Sequence, residues 1–295
     1  MLSALCPSLK ISICSLIRND SSILSRQICF SFIGLTFEID CGDTVTESLV
    51  SKNFDATEIG RARNAKYIVC KTDEYFLVES PYGNVQTAAT DAEFLYALEK
   101  AITLEAQRQR PTLYFIHGAV LEFEGKAILL IGAPGAGKST LAWALLHHGF
   151  QYLSDELAPI DLSTLTVYPY PHAICLKKKP PAPYALPEGV LYTSGTIHIP
   201  VKQMPSATCT APQPVRSLFF VTYDPSAMEP SILPIGRPEG AARLYSNTLN
   251  ALAHAGAGLG QAISIAKACR CFTLRSASAP ATCLALKDVL TRAHN

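Results

Sequence analysis

The 295-residue chain has little charge and almost none left over. Its 25 Lys and Arg stand against 24 Asp and Glu, a net charge of +1. That balance excludes the broad attraction that bulk binding to nucleic acid or to an anionic membrane requires. No uncharged apolar run reaches the ~18 residues of a transmembrane helix, so none is expected. The 10 cysteines contain no CxxC pair and no Cys/His cluster at zinc spacing. Cysteines so scattered read as reduced core residues, which points to a reducing, cytoplasmic compartment. Residues 1–29 are rich in Ser and Cys and lack a clean apolar core followed by a small-residue cleavage site. They are expected to be a disordered leader, or translated sequence upstream of the functional start, rather than a working signal.

What is present is concentrated in one stretch, AILLIGAPGAGKST, from Ala127 to Thr140. It fits the phosphate-cradling pattern G-x-x-x-x-G-K-[ST] through Gly132, Gly137, Lys138 and Ser139. Gly132, Ala133, Pro134, Gly135, Ala136 and Gly137 form the loop, and Lys138, Ser139 and Thr140 open a helix. Glycine lets backbone N–H groups approach an anion with no Cβ in the way, and the positive end of the helix dipole adds to the attraction. In this pattern Lys138 reaches the β- and γ-phosphates of a nucleotide and Ser139 ligates Mg²⁺. The flanks agree, with a buried strand over Ala127–Ile131 and a helical stripe at Leu141, Ala142, Leu145 and Leu146 ending near Gly149.

Around this stretch the chain divides in two. Residues 30–110 read as a small β-rich unit with a linking helix. Phe30–Ile39 reads as a strand or hairpin, residues 40–66 as irregular, and Lys66–Lys71 and Glu74–Ser80 as strands. Thr90-Asp91-Ala92-Glu93 is a capping box opening a helix to about Gln109. Residues 111–295 read as the nucleotide-binding domain. Leu113–Phe123 is strand-like but interrupted at His117-Gly118, and Glu124-Gly125 turns it into the strand before the loop. Beyond the loop helix lies the acidic pair Asp155-Glu156 between two apolar runs, a placement that suits a metal or base position, whereas a solvated turn would also produce it. Tyr168–Leu176 reads as a strand leading into Lys177-Lys178-Lys179, which either hold an anion or form a solvated charge run. Arg216–Tyr223 and Cys271–Leu274 read as strands, and Glu239–Ala253 and Ala281–Arg292 as helices. The Ala/Gly tract 251–262 carries little information.

The segment from His117 to Leu176 resembles the nucleotide-binding domain of the HPr kinase/phosphorylases and their relatives, the HPr-kinase-related serine kinases. The resemblance rests on IHGAVL, LLIGAPGAGKSTLA, LSDELAPID and the Pro-rich run ending in CLK. It implies an α/β fold, a P-loop kinase domain on a mixed sheet like that of the ATP-dependent phosphoenolpyruvate carboxykinases. It implies ATP and Mg²⁺ as cofactors. Asp155 would take the proton of the acceptor hydroxyl, Glu156 would help place the metal with Ser139, and His117 would sit beside the acidic pair and tune it. The chain departs from the family in having Asp155-Glu156 for Asp-Asp and in lacking the glycine-rich Arg-Gly signature tied to the phosphorylase reaction and to HPr contact. The expected activity is therefore transfer of a γ-phosphate to a hydroxyl, with a serine of a small protein or peptide as partner and a homo-oligomer as the family precedent. A small-molecule kinase and a non-catalytic nucleotide-binding module remain open. The intact set of His117, Lys138, Ser139, Asp155 and Glu156 favours catalysis.

Overall fold

The computed structural model describes residues 26–55, 63–170 and 172–292. Most of the expected leader lies outside these residues, but its end does not, because strand β1 is Arg26–Phe32. β1 turns at Ile33-Gly34, both at positive φ, into β2 (Leu35–Cys41). Helix α1 (Thr44–Asn53) follows, where an irregular stretch was expected. Asp43 caps it, accepting from the N–H groups of Val45 and Thr46, which satisfies donors the first turn leaves free. Next come β3 (Ala65–Lys71), β4 (Phe76–Glu79) and β5 (Val85–Ala88). The five strands form one sheet in sequence order, antiparallel except where α1 crosses between β2 and β3.

Helix α2 (Asp91–Gln109) opens on the expected cap, with Thr90 Oγ1 accepting from Glu93 N–H. The reciprocal bond goes one residue further back, from Ala89 N–H to Glu93. Phe94, Leu95, Leu98, Ile102 and Ala106 are buried and pack against this sheet and against Leu113, Phe115, Leu157 and Tyr170 of the second unit.

The second sheet is built around β6 (Leu113–Phe123) and β7 (Lys126–Ile131). Glu124 and Gly125, both at positive φ, join them as an antiparallel hairpin. Helix α3 (Lys138–Leu146) leads to β8 (Gln151–Ser154), β9 (Leu157–Asp161), β10 (Thr166–Val167) and β11 (Ile174–Leu176). β11 is shorter than the run expected from Tyr168, because Pro169 cannot donate to a ladder. β12 (Leu191–Tyr192) and β13 (Ile197–Ile199) pair with it in a three-stranded sheet. β14 (Gln213–Tyr223), β15 (Ser231–Pro234), α4 (Arg237–Tyr245), α5 (Leu259–Ala268), β16 (Arg270–Ser276) and α6 (Ala279–Thr291) complete the chain.

The main sheet runs β10-β9-β6-β7-β14-β16-β15, with β8 also on β6. β7, β14 and β16 are parallel, whereas β6 and β15 run against their neighbours, so the sheet is mixed. Alternation along β7 decides what covers it. Ile128 and Leu130 face α3 and α6, while Leu129 and Ile131 face α4 and α5. No helix among the described residues is long and apolar enough to cross a membrane.

β6 and β7 meet closely at Gly118, where an added Cβ would lie 2.8 Å from the Leu130 carbonyl oxygen. Gly118→Ala is therefore expected to lower unfolding free energy by about 1–3 kcal/mol. Gly260→Ala, at a helix position with open space around it, should raise it by about 0.5–1 kcal/mol. Denaturant unfolding of the two variants checks this, and equal midpoints would contradict it.

Candidate active site

The loop between β7 and α3 is pinned from beneath. Gly132 lies so close to β14 that a Cβ there would sit 2.6 Å from the Val221 carbonyl oxygen. Gly135 and Gly137 have φ of 86° and 88°, a region where a side chain is strained. Ala133, Pro134 and Gly135 are exposed, and Gly137 caps α3 with no side-chain acceptor over the first helical N–H groups. No side chain caps those donors, which leaves them available to an anion.

Lys138 is buried, at 7% exposure. Its Nζ folds back on the loop and donates to the carbonyl oxygens of Gly132 at 2.8 Å and Ala133 at 3.3 Å. Burial lowers its pKa, and the charges of Glu156 and Asp155 pull it back up. Ser139 and Thr140 are half-buried on the first turn of α3.

The acidic pair occupies the turn between β8 and β9. Ser154 braces that turn by donating from Oγ to Leu157 O at 2.6 Å. Asp155 is 1% exposed, which removes the solvated-turn explanation for it. Its Oδ2 accepts from the Cys175 N–H at 3.2 Å, the Ser139 hydroxyl faces the same carboxyl group, and Oδ1 is buried with no donor of its own. Burial lifts the Asp155 carboxyl to about 7, and Glu156 adds to the rise, while Ser139, the Cys175 N–H and Lys138 oppose it. Glu156 is more open, with a side chain 41% exposed.

His117 lies in β6 at the point where the strand changes partners. β9 pairs with it up to His117, and β7 takes over from Gly118. The strand is continuous there, without the expected interruption. His117 Nδ1 stands 3.2 Å from the Glu156 carbonyl oxygen and 3.3 Å from Glu156 Oε2. Burial and then Lys138 lower its pKa, so the imidazole is neutral at pH 7 and can donate a hydrogen bond to Glu156. The fold thus brings together His117, the Lys138-Ser139 pair and the Asp155-Glu156 pair from three separate segments of the chain.

One neighbour escaped the reading of the sequence. Glu99, on α2, stands with its Oε1 3.1 Å from His172 Nδ1. Burial raises the Glu99 carboxyl to about 8, with Glu156 and Asp155 adding to it, and burial pushes His172 down to about 3. Both shifts favour the uncharged forms of the pair, since burial disfavours a carboxylate and an imidazolium alike. The available signal was a charged residue four positions after Leu95 and three before Ile102, on the apolar face of α2.

The donor set suits a hard cation. Asp155 and Glu156 carboxylates and the Ser139 hydroxyl are oxygen donors, and the unpartnered Asp155 Oδ1 is aimed at nothing else. Among the described residues no group of three or more His, Cys, Asp or Glu could hold a metal alone. Mg²⁺ is commonly held by one or two carboxylates together with substrate phosphates, and that is the arrangement these residues fit.

No protein-family model matches the chain, and no curated protein matches it in sequence. Among solved structures it is similar to the HPr(Ser) kinase/phosphatase from Coxiella burnetii, at 17% identity over 41% of this chain and 76% of that one, with a TM-score of 0.25. So loose a superposition carries no argument about the site.

The raised Asp155 value has a consequence for stability. The folded protein keeps a proton on Asp155 in a pH range where the unfolded chain has lost it, so stability of the nucleotide-free, chelator-treated protein falls as pH rises from about 4 towards 7. Asp155→Asn removes that dependence. The variant should match wild type near pH 4 and melt above it at pH 8, and a melting-temperature gap that stays flat or narrows would contradict the assignment.

Proposed function

We propose that the protein is an ATP-dependent kinase that transfers the γ-phosphate of ATP to a hydroxyl, with a serine of a small protein or peptide as acceptor. The observation that carries the reading is the convergence of a buried Lys138, set at the head of a glycine loop, with a buried Asp155 whose carboxyl group has an oxygen left free. Phosphoryl transfer needs positioning and charge neutralisation more than covalent chemistry. Loop N–H groups and Lys138 hold the phosphates. Ser139 and Glu156 hold Mg²⁺, which when bound neutralises charge on the phosphate oxygens. Asp155 accepts the proton of the acceptor hydroxyl as its oxygen bonds to the γ-phosphorus and the bond to the bridging oxygen breaks, releasing ADP. A carboxyl titrating near 7 suits that exchange, since it is a stronger base than an ordinary carboxylate and still partly ionised at neutral pH.

A second assignment exchanges the two carboxylates. Asp155, not Glu156, stands next to Ser139, while Glu156 is open and paired with His117. In that version Asp155 helps hold the metal and Glu156 accepts the proton.

Transfer of labelled phosphate from ATP to peptides and small proteins of a host extract tests the proposal. Asp155→Asn should bind nucleotide and lose at least ~100-fold in transfer rate. Glu156→Gln losing transfer with binding intact, while Asp155→Asn weakens Mg²⁺-dependent binding, would instead select the exchanged assignment. Lys138→Ala should weaken nucleotide affinity itself, and an unchanged affinity would contradict the phosphate-loop reading.

A further inference from the structure

The phosphate loop has two flanks, and the acidic pair occupies only one of them. The sheet order β6-β7-β14 sets β6 on one side of the loop strand and β14 on the other. The acidic turn belongs to the β6 side, since β8 and β9, which it joins, both pair with β6. Acceptor and Mg²⁺ meet there, so the terminal phosphate lies there too. The opposite end of a nucleotide carries the base, which is then left to the β14 side. Open sheets take their ligands beyond the carboxyl ends of parallel strands, and β7 and β14 run parallel. Tyr223 is the last residue of β14. Strand alternation gives it the face of Phe219 and Val221, which share a core with Leu141 and Leu145 of α3. A Cβ added at Gly137 would lie 3.8 Å from Tyr223 Cβ, so the stem of this side chain stands against the last glycine of the loop. Tyr223 is nonetheless 56% exposed, and among the described residues its ring and hydroxyl have no partner. Its backbone is held firmly. Register pairs it with Ser276 of β16, whose Oγ donates to Thr222 O at 3.3 Å and whose carbonyl accepts from Asp224 N–H at 3.1 Å.

We propose that Tyr223 is the base-binding residue of the site, its ring stacking on the adenine of the bound nucleotide at the β14 flank of the loop. This rests on the nucleotide-binding reading above. A base offers a flat π-face to such a ring, and the tyrosine has few rotamers to lose in meeting it. The nucleotide then lies across the loop from β14 to β6, with the base over Tyr223 and the γ-phosphate beside Asp155. Anchoring both ends of the ligand fixes the direction in which the phosphate chain runs.

The test is a pair of calorimetric titrations on the full chain, one with a non-hydrolysable Mg-ATP analogue and one with Mg-tripolyphosphate, which has the phosphates and no base. Tyr223→Ala should weaken the analogue about tenfold, the loss of one stacked base, and tripolyphosphate by less than about twofold. Tyr223→Phe keeps the ring and should bind both ligands as wild type does. Tyr223 is at the surface, so its variants are expected to melt with wild type. Equal weakening of both ligands by Tyr223→Ala, or no weakening, overturns the role of Tyr223 while leaving the phosphate loop standing. A wild-type protein that binds neither ligand overturns the nucleotide-binding reading, and this proposal falls with it.

Discussion

The burial of the Lys138 ammonium constrains everything around it. A buried charge is tolerated only when paired and hydrogen-bonded. Here the pairing comes from two loop carbonyls and from the field of Asp155 and Glu156. Both sources require exact strand placement. β14 presses the loop upward at Gly132, and β6 presses on β7 at Gly118, so the loop and the acidic turn are fixed relative to one sheet. A phosphate entering the loop would replace carbonyl oxygens with stronger acceptors for the same ammonium.

The N-terminal unit is part of this construction. α2 spans the two cores, covering its own sheet and touching Leu113, Phe115 and Leu157 of the other. It also supplies Glu99, which lies behind the acidic pair next to His172. From α1, Asn53 reaches His198 at 2.8 Å, and His198 sits opposite Cys175 across the β11–β13 pair. The backbone that holds Asp155 is thus buttressed by side chains from the first unit, and the burial they create raises the Glu99 carboxyl above its ordinary value.

Much of the site was legible in the sequence because its signals are local. The glycine loop, the Lys-Ser pair, the hairpin turn at Glu124-Gly125 and the cap at Thr90 each depend on a few neighbouring residues. What was not legible depends on distant partners. α1 has only Thr46, Leu49, Val50 and Asn53 buried, too weak a stripe to stand out within a polar stretch. α4 stops at Tyr245 rather than near Ala253 because Asn250 is tied to β6, accepting from the Phe115 N–H and donating to Leu113 O. The Ala/Gly tract is ordered for a similar reason, since Tyr114 donates from its hydroxyl to the Gly258 carbonyl and α5 begins at Leu259. That Asp155 would be buried, and Glu99 brought behind it, follows from the packing of two sheets and from no pattern within either segment.

Backbone hydrogen exchange with and without Mg-ATP tests the central claim most directly. If the loop cradles phosphates, slowing of exchange should centre on residues 132–140 and extend to 154–156, where the acidic turn meets the same ligand. Unchanged exchange in both segments at saturating nucleotide, or protection confined to other parts of the chain, would contradict the account.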